Sequence, residues 1–153
     1  MRICIQRVKQ ASVKVANVFV GSIEKGALVF LGVHHNDTLQ DMQYLVNKLV
    51  NLRMFTDDQD KMNFSLKDVG GEVLVVSQFT LYANCHTGRR PSFTDSASPT
   101  IAEELYLQFV EELKAHVSNV ETGIFGALME VSLINDGPVT FLIDAPDYSS
   151  RFS

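Results

Sequence analysis

Apolar residues recur with the period of a strand in some segments and of a helix in others, and the order of these segments limits the folds that the chain can adopt. Residues 2–9 have the pattern of a strand, and mainly apolar runs at 27–33 and 73–81 predict buried strands. Valines on both sides of Ala16-Asn17 indicate a hairpin. Two other segments repeat apolar residues every three or four positions, as amphipathic helices do. The succession of strands, helix, strand, helix and strands predicts an α/β or α+β domain in which two main helices cover a sheet.

Local signals mark where the two helices begin. Thr38-x-x-Asp41 resembles a capping box at the start of the first helix. The apolar stripe of that helix consists of Leu39, Met42, Leu45, Val46, Leu49 and Val50. Pro99 suits the first turn of the second helix, with Ser98 as its cap. The second stripe consists of Ala102, Leu105, Tyr106, Phe109, Val110 and Leu113.

Composition restricts the class of protein. A chain of 153 residues suits one domain over 1–153, and 46% hydrophobic residues exclude a disordered chain. Thirteen basic against eighteen acidic residues give a net charge of −5, which excludes blanket nucleic-acid binding through net positive charge. The sequence has no run of 18 apolar residues and no apolar signal-peptide region, and its two cysteines make no disulfide framework. We therefore expect a cytoplasmic protein without a membrane segment.

Motifs that would indicate common cofactors are missing from the sequence. His34 and His35 are adjacent, so on a strand they would face opposite sides of the sheet. The spacing of Cys and His residues fits no zinc site, and no phosphate-binding loop or dinucleotide fingerprint occurs. There is also no nucleophile elbow. We predict neither a metal nor a cofactor.

The run Ser77-Gln78-Phe79-Thr80-Leu81 places polar side chains directly after four apolar residues. On a strand, Gln78 and Thr80 would share a face where the strand emerges at a cleft. Gln78 would orient a carbonyl or hydroxyl group there, and Thr80 would donate a hydrogen bond or act as a nucleophile. A threonine at a strand end is also common for reasons of β propensity alone. A nucleophilic threonine needs an adjacent base, and the sequence shows none.

The run Asn135-Asp136-Gly137-Pro138 separates two predicted closing strands, near 127–134 and 139–144. These residues are ordinary turn chemistry, so a hairpin connection is one interpretation. The alternative is a Gly-Pro peptide that presents backbone groups to a ligand, since Gly137 has no Cβ to keep another molecule away.

The run Gly88-Arg89-Arg90-Pro91-Ser92-Phe93 makes a compact basic spot. Arginine matches phosphate geometry bidentately, so Arg89 and Arg90 are candidate RNA contacts. A solvated loop without a ligand is the alternative.

Read together and in this order, residues 77–81 and 135–140 resemble the two signature motifs of the D-aminoacyl-tRNA deacylase family. The resemblance extends over nearly the whole chain. The start around Gln6-Arg7-Val8, the loop 88–93 and the segment 122–129, which contains Phe125 and Met129, also look like that family.

The resemblance implies a homodimeric three-layer α/β/β fold and an ester hydrolase that removes D-amino acids, and also glycine, from the 3′ end of tRNA. It implies that Gln78, Phe79 and Thr80 form the catalytic part of a pocket, with Ser77, Phe125 and Met129 binding substrate. It implies that a cis peptide between Gly137 and Pro138 reaches across the dimer into the partner's pocket. A DNA partner, a membrane and a cofactor are not implied.

The resemblance favours hydrolysis assisted by the 2′-hydroxyl of the terminal adenosine, with backbone donors for the oxyanion. A backbone wall would accept the hydrogen of a D substrate and reject the side chain of an L substrate. Two other functions remain open from the residues alone. One is a non-catalytic module that binds tRNA ends, and the other is a threonine-dependent hydrolase of small esters.

Overall fold

The computed structural model describes residues 1–146, so predictions for 147–153 lie outside the described residues. Eight strands, three α-helices and one 3-10 turn follow one another in that range. They are β1 (Arg2–Val15), β2 (Val18–Ile23), β3 (Gly26–Gly32), α1 (Leu39–Asn51), β4 (Phe55–Thr56), β5 (Met62–Phe64), α2 (Leu66–Val69), β6 (Glu72–Ser77), the 3-10 turn (Phe79–Tyr82), α3 (Pro99–Lys114), β7 (Val120–Thr122) and β8 (Glu130–Asp144). No helix in this range is long and apolar enough to cross a membrane.

The long strand β1 organises the sheet. β2 and β3 both pair antiparallel with β1, and β8 pairs antiparallel with β1 along nearly its whole length. β6 then adds parallel to β3, and β7 parallel to β6. The predicted hairpin is confirmed, because Ala16 and Asn17 have φ of 49° and 64°, as a tight primed turn requires.

Two apolar cores give the protein three layers. Ile3 and Ile5 of β1 belong to the core that also contains the apolar stripes of α1 and α3. Leu39 was wrongly placed in the first stripe, because it is the first residue of α1 and is 48% exposed. After the exposed residues 9–10, Ala11 and Val13 instead join Leu28 and other apolar residues in a second core between two β layers. β1 thus changes its buried face part-way along its length. The predicted α/β/β architecture, with two main helices covering the sheet, is confirmed.

Both predicted helix starts are confirmed. Thr38 and Asp41 form the capping box, with the Asp41 carboxylate accepting from the Thr38 amide at 2.7 Å. Pro99 begins α3, although Ser98 makes no capping hydrogen bond through its side chain.

The strand predicted over 73–81 is wrong in its second half. β6 ends at Ser77, and the chain turns at once into the 3-10 turn. This turn packs against Gly32, where a Cβ would lie 3.0 Å from the Leu81 Cβ and 3.1 Å from the Gln78 carbonyl oxygen. A distant glycine thus makes the space for the turn.

The predicted hairpin between two closing strands is also wrong. β8 is one strand that stays paired with β1 on both sides of residues 135–139. The five residues of β1 from Gln6 to Gln10 lie opposite the seven of β8 from Ile134 to Thr140, so the two extra residues form a bulge. The turn-forming residues 135–138 therefore form a bulge and not a hairpin, because β8 pairs with β1 again beyond them.

Candidate active site

A cavity of about 630 Å³ opens where the parallel strands β3 and β6 end. Ligands commonly bind at the carboxyl ends of parallel strands. Five predicted site residues line the cavity, namely Ser77, Gln78, Phe79, Phe125 and Met129. Tyr106 of α3 forms part of the wall and donates from its hydroxyl to the Val75 carbonyl at 3.0 Å. Burial raises the pKa of Tyr106 to about 12, which keeps this hydroxyl protonated as a donor.

The 3-10 turn brings the three predicted catalytic residues together. The Gln78 amide donates to the Leu31 carbonyl at 2.8 Å, which ties the start of the turn to β3. The Gln78 side-chain amide donates to the Thr80 hydroxyl. The Phe79 ring is 56% exposed and lies edge-on to the Phe93 ring, with centroids 4.9 Å apart. Thr80 adjoins the cavity through Gln78 but does not line it.

The turn leaves backbone donors without partners. Among residues 1–146, the amide groups of Phe79 and Thr80 have no hydrogen-bond acceptor. Unpartnered amide donors next to a cavity can stabilise negative charge that develops on a bound carbonyl oxygen.

The bulge of β8 is a second, separate feature. The peptide between Gly137 and Pro138 is cis. The Asn135 side-chain oxygen accepts from the Val139 amide at 2.8 Å, which closes the bulge. A Cβ on Gly137 would lie 2.5 Å from the Val139 nitrogen, so the bulge requires glycine at this position. Neither Gly137 nor Pro138 lines the cavity of the same chain.

Arg7 holds the bulge, a role that the sequence patterns do not predict. Its guanidinium is buried, with Nε donating to the Asp136 carbonyl and Nη1 to the Met54 carbonyl, both at 2.7 Å. The Asp136 carboxylate lies 3.7 Å from Nε. The available signal was an arginine between buried positions of a strand, since buried arginine is rare unless it is paired.

Arg89 and Arg90 lie outside the cavity, in an exposed loop. Asn84 and Ser92 close this loop by two backbone hydrogen bonds of 2.7 and 2.9 Å. Among the described residues, neither arginine forms an ion pair, so both guanidinium groups are available to phosphate.

The sequence predicted that His34 and His35 would face opposite sides of a strand, and this is wrong. Their ring centroids are 4.0 Å apart, because the pair follows the end of β3 instead of continuing it. With Asp95 they form a group whose possible ligand atoms lie within 4.8 Å of one another. His34 Nδ1 already accepts from the Asn36 amide at 3.1 Å, which engages one of its two ring nitrogens. Burial lowers the pKa of His34 to about 4.

Comparison with known proteins gives the evolutionary context of this site. The sequence model of the D-Tyr-tRNA(Tyr) deacylase family matches residues 4–144. The chain belongs to the D-aminoacyl-tRNA deacylase family. It is 56% identical over 145 residues to the D-aminoacyl-tRNA deacylase of Thermosipho africanus, covering 95% of this chain and 97% of that protein. It is 53% identical over 147 residues to that of Fusobacterium nucleatum, covering 96% and 97% of the two chains.

Solved structures agree with this family assignment in fold. The c-Myc DNA unwinding element binding protein superimposes with a TM-score of 0.90 at 37% identity, covering 95% of this chain and 99% of that one. A probable eukaryotic D-amino acid tRNA deacylase gives a TM-score of 0.78 at 20% identity, with 94% and 98% covered. The second likeness shows that the layer arrangement is shared.

Proposed function

We propose that the chain hydrolyses the ester bond of D-aminoacyl-tRNA and of mischarged glycyl-tRNA, releasing the free amino acid and tRNA. Family membership supports this reaction class. The observation that carries the proposal is the cavity beside which the amides of Phe79 and Thr80 have no acceptor among residues 1–146. Ester hydrolysis develops negative charge on the carbonyl oxygen, which such donors stabilise.

The active form is a homodimer in which each subunit completes the other's site. Gly137 and Pro138 do not line the cavity of their own chain, which leaves them available to a second copy. Within the described range, β8 pairs only with β1, so its outer edge is open. Ile134 and Leu142 of β8 are 48% and 60% exposed, as apolar groups at a subunit contact would be in one isolated chain.

The Gly137-Pro138 peptide then selects the handedness of the substrate. If the α-amino group and the ester are both fixed, an L side chain must point where a D substrate carries hydrogen. Rejection by a factor of ten thousand needs about 5.5 kcal/mol. Loss of one methyl contact supplies only about 1–3 kcal/mol. A rigid backbone wall is therefore the better device, and glycine passes it because it has hydrogen at both positions.

The terminal adenosine assists the chemistry. Among the described residues, the one side-chain partner of the Thr80 hydroxyl is the Gln78 amide, which is not a base. Thr80 thus lacks the neighbour that a nucleophile needs. The 2′-hydroxyl of the RNA positions or activates water, while the protein orients the ester and supplies backbone donors.

The tRNA is held mainly at its 3′ end. Arg89 and Arg90 contact backbone phosphates from the exposed loop. The net charge of −5 suits an enzyme of the cytoplasmic tRNA pool, because weak general affinity for RNA avoids competition from every uncharged tRNA.

The test uses purified protein with D-Tyr-tRNA, L-Tyr-tRNA and Gly-tRNA, and follows release of the labelled amino acid. We expect release from the D and glycyl substrates and none from the L substrate. Binding without release from any substrate would instead support a tRNA-end-binding module. Hydrolysis of all three, and of simple aryl esters, would support a threonine-dependent esterase. Sedimentation analysis of the same preparation tests the dimer.

A further inference from the structure

Ser96 lies in the wall of the cavity, and its hydroxyl donates to the Phe79 carbonyl oxygen at 3.1 Å. This bond joins the loop that carries Arg89 and Arg90 to the 3-10 turn. It is the one side-chain hydrogen bond among residues 1–146 that reaches the Phe79 carbonyl. The functional site described above makes no use of it.

The backbone around Ser96 is fixed on both sides. The Ala97 amide donates to the Val33 carbonyl at 2.9 Å, and the His35 amide donates to the Asp95 carbonyl at 3.2 Å. Ser96 therefore lies at the end of this loop that is paired with the residues directly after β3. A hydroxyl with an anchored backbone loses little freedom when it makes its hydrogen bond, so it can hold the turn.

The peptide that Ser96 holds also contains one of the two unpartnered amides. A trans peptide is planar, so the carbonyl of Phe79 and the N–H of Thr80 point in opposite directions. Fixing the carbonyl oxygen fixes the direction of that N–H. The Phe93 ring, in edge contact with the Phe79 ring, restricts the same residue from its side chain.

We propose that Ser96 is a positioning residue for deacylation, acting through the Phe79–Thr80 peptide to aim the Thr80 N–H at the oxyanion. This inference rests on the proposed function. Ser96 touches neither the reacting ester nor the RNA 2′-hydroxyl in this scheme. Its contribution therefore belongs to the transition state and leaves substrate affinity unchanged.

Single-turnover deacylation of D-Tyr-tRNA, at increasing enzyme concentration, separates rate from affinity. In Ser96→Ala we expect the limiting rate to fall about threefold to tenfold, the range of one neutral hydrogen bond. The enzyme concentration for half-maximal rate should not change. Ser96→Thr restores a hydroxyl and should recover the rate, whereas Ser96→Val should not.

Ser98→Ala is the matched control. Ser98 lies only two residues from Ser96, and its hydroxyl makes no capping hydrogen bond. It should leave rate and affinity unaltered. A second readout is independent of activity, namely the NMR shifts of the Phe79 carbonyl carbon and the Thr80 amide nitrogen. Both should move in Ser96→Ala and return in Ser96→Thr.

The outcomes distinguish the two proposals. A wild-type chain that releases nothing from D-Tyr-tRNA refutes the deacylase function, and the role of Ser96 with it. An active wild type with an equally active Ser96→Ala refutes the positioning role alone. Unmoved NMR shifts, or a higher half-saturating concentration at unchanged limiting rate, also refute it.

Discussion

The 3-10 turn after β6 and the bulge of β8 both interrupt a regular sheet, yet they treat their backbone polar groups in opposite ways. In the turn, the amides of Phe79 and Thr80 have no acceptor among residues 1–146. In the bulge, the Asp136 carbonyl accepts from Arg7, and the Val139 amide donates to Asn135.

This difference indicates a division of labour. Unpartnered donors cost stability unless water or a ligand satisfies them, so the turn is suited to bind. A bulge whose Asp136 carbonyl and Val139 amide have partners within the chain is held in one shape, which suits an element that is inserted elsewhere. One chain thus carries both an open receptor and a rigid insert, which two copies would exchange.

The largest expected effect tests whether the 3-10 turn only orients the substrate or whether its Thr80 attacks the ester. Replacing the terminal 2′-hydroxyl of D-Tyr-tRNA by hydrogen should lower the limiting rate about thousandfold, within the range for loss of general acid–base assistance. Thr80→Ala should lose much less, because Thr80 has no base. Single-turnover assays measure both. Full loss in Thr80→Ala with an unaffected deoxy substrate would make Thr80 the nucleophile.

The rigidity of the bulge is tested next by Gly137→Ala. The new Cβ would lie 2.5 Å from the Val139 nitrogen, so the bulge must deform. A displacement of about 1 Å at a catalytic site costs about a hundredfold in rate. Gly70→Ala is the control, because φ is +61° there but the space is open, so it should cost about 1 kcal/mol of stability and no activity. Wild-type rates in Gly137→Ala would mean that the bulge plays no part.

Arg7→Met should disturb the bulge without touching the 3-10 turn, because Arg7 donates to the bulge at the Asp136 carbonyl. It removes the donors to the Asp136 and Met54 carbonyls, which should cost about 2–3 kcal/mol of unfolding free energy, as expected for lost hydrogen bonds to a charged group. Urea unfolding measures this loss. Rejection of L-Tyr-tRNA should weaken as well, since the wall moves. A destabilised variant that still rejects L substrate as strictly as wild type would contradict this link.

The smallest effect concerns His34, whose ring lies 5.3 Å from the Tyr82 ring at the end of the turn. Burial, and next the positive charge of the chain's amino terminus, lower the pKa of His34 from 6.5 to about 4. The neutral ring therefore favours the folded state above pH 6.5, and this contribution is lost as the pH falls toward 4. Urea midpoints between pH 7 and 4 should fall less in His34→Asn than in wild type. Parallel curves for the two proteins would contradict this.

Short local signals predicted much of the fold. The capping box at Thr38 and the hairpin at Ala16-Asn17 are each determined by a few adjacent residues, and both are present. The 3-10 turn was missed because β propensity continues through Thr80 and Leu81. What ends the strand is space beside Gly32, on another strand.

The site was predictable only in part for the same reason. Polar residues after an apolar strand indicated Ser77 and Gln78, and the family resemblance added Phe125 and Met129. The sequence around residue 137 is equally suited to a hairpin or a bulge. The bulge forms because the residues that follow pair with β1 again. Arg7 and Ser96 act through contacts with residues far away in the chain, which local patterns do not show.

The change of buried face in β1 also bears on how this architecture can be inherited. β1 and β8 each contact both cores, with Phe141 and Ile143 of β8 on the first core and Val131 and Leu133 on the second. Any exchange of one layer therefore cuts through these two strands. Genetic exchange of one layer for a relative's would thus leave two mismatched half-strands. Such a protein should diversify by point substitution and by growth of surface loops, and not by shuffling of parts.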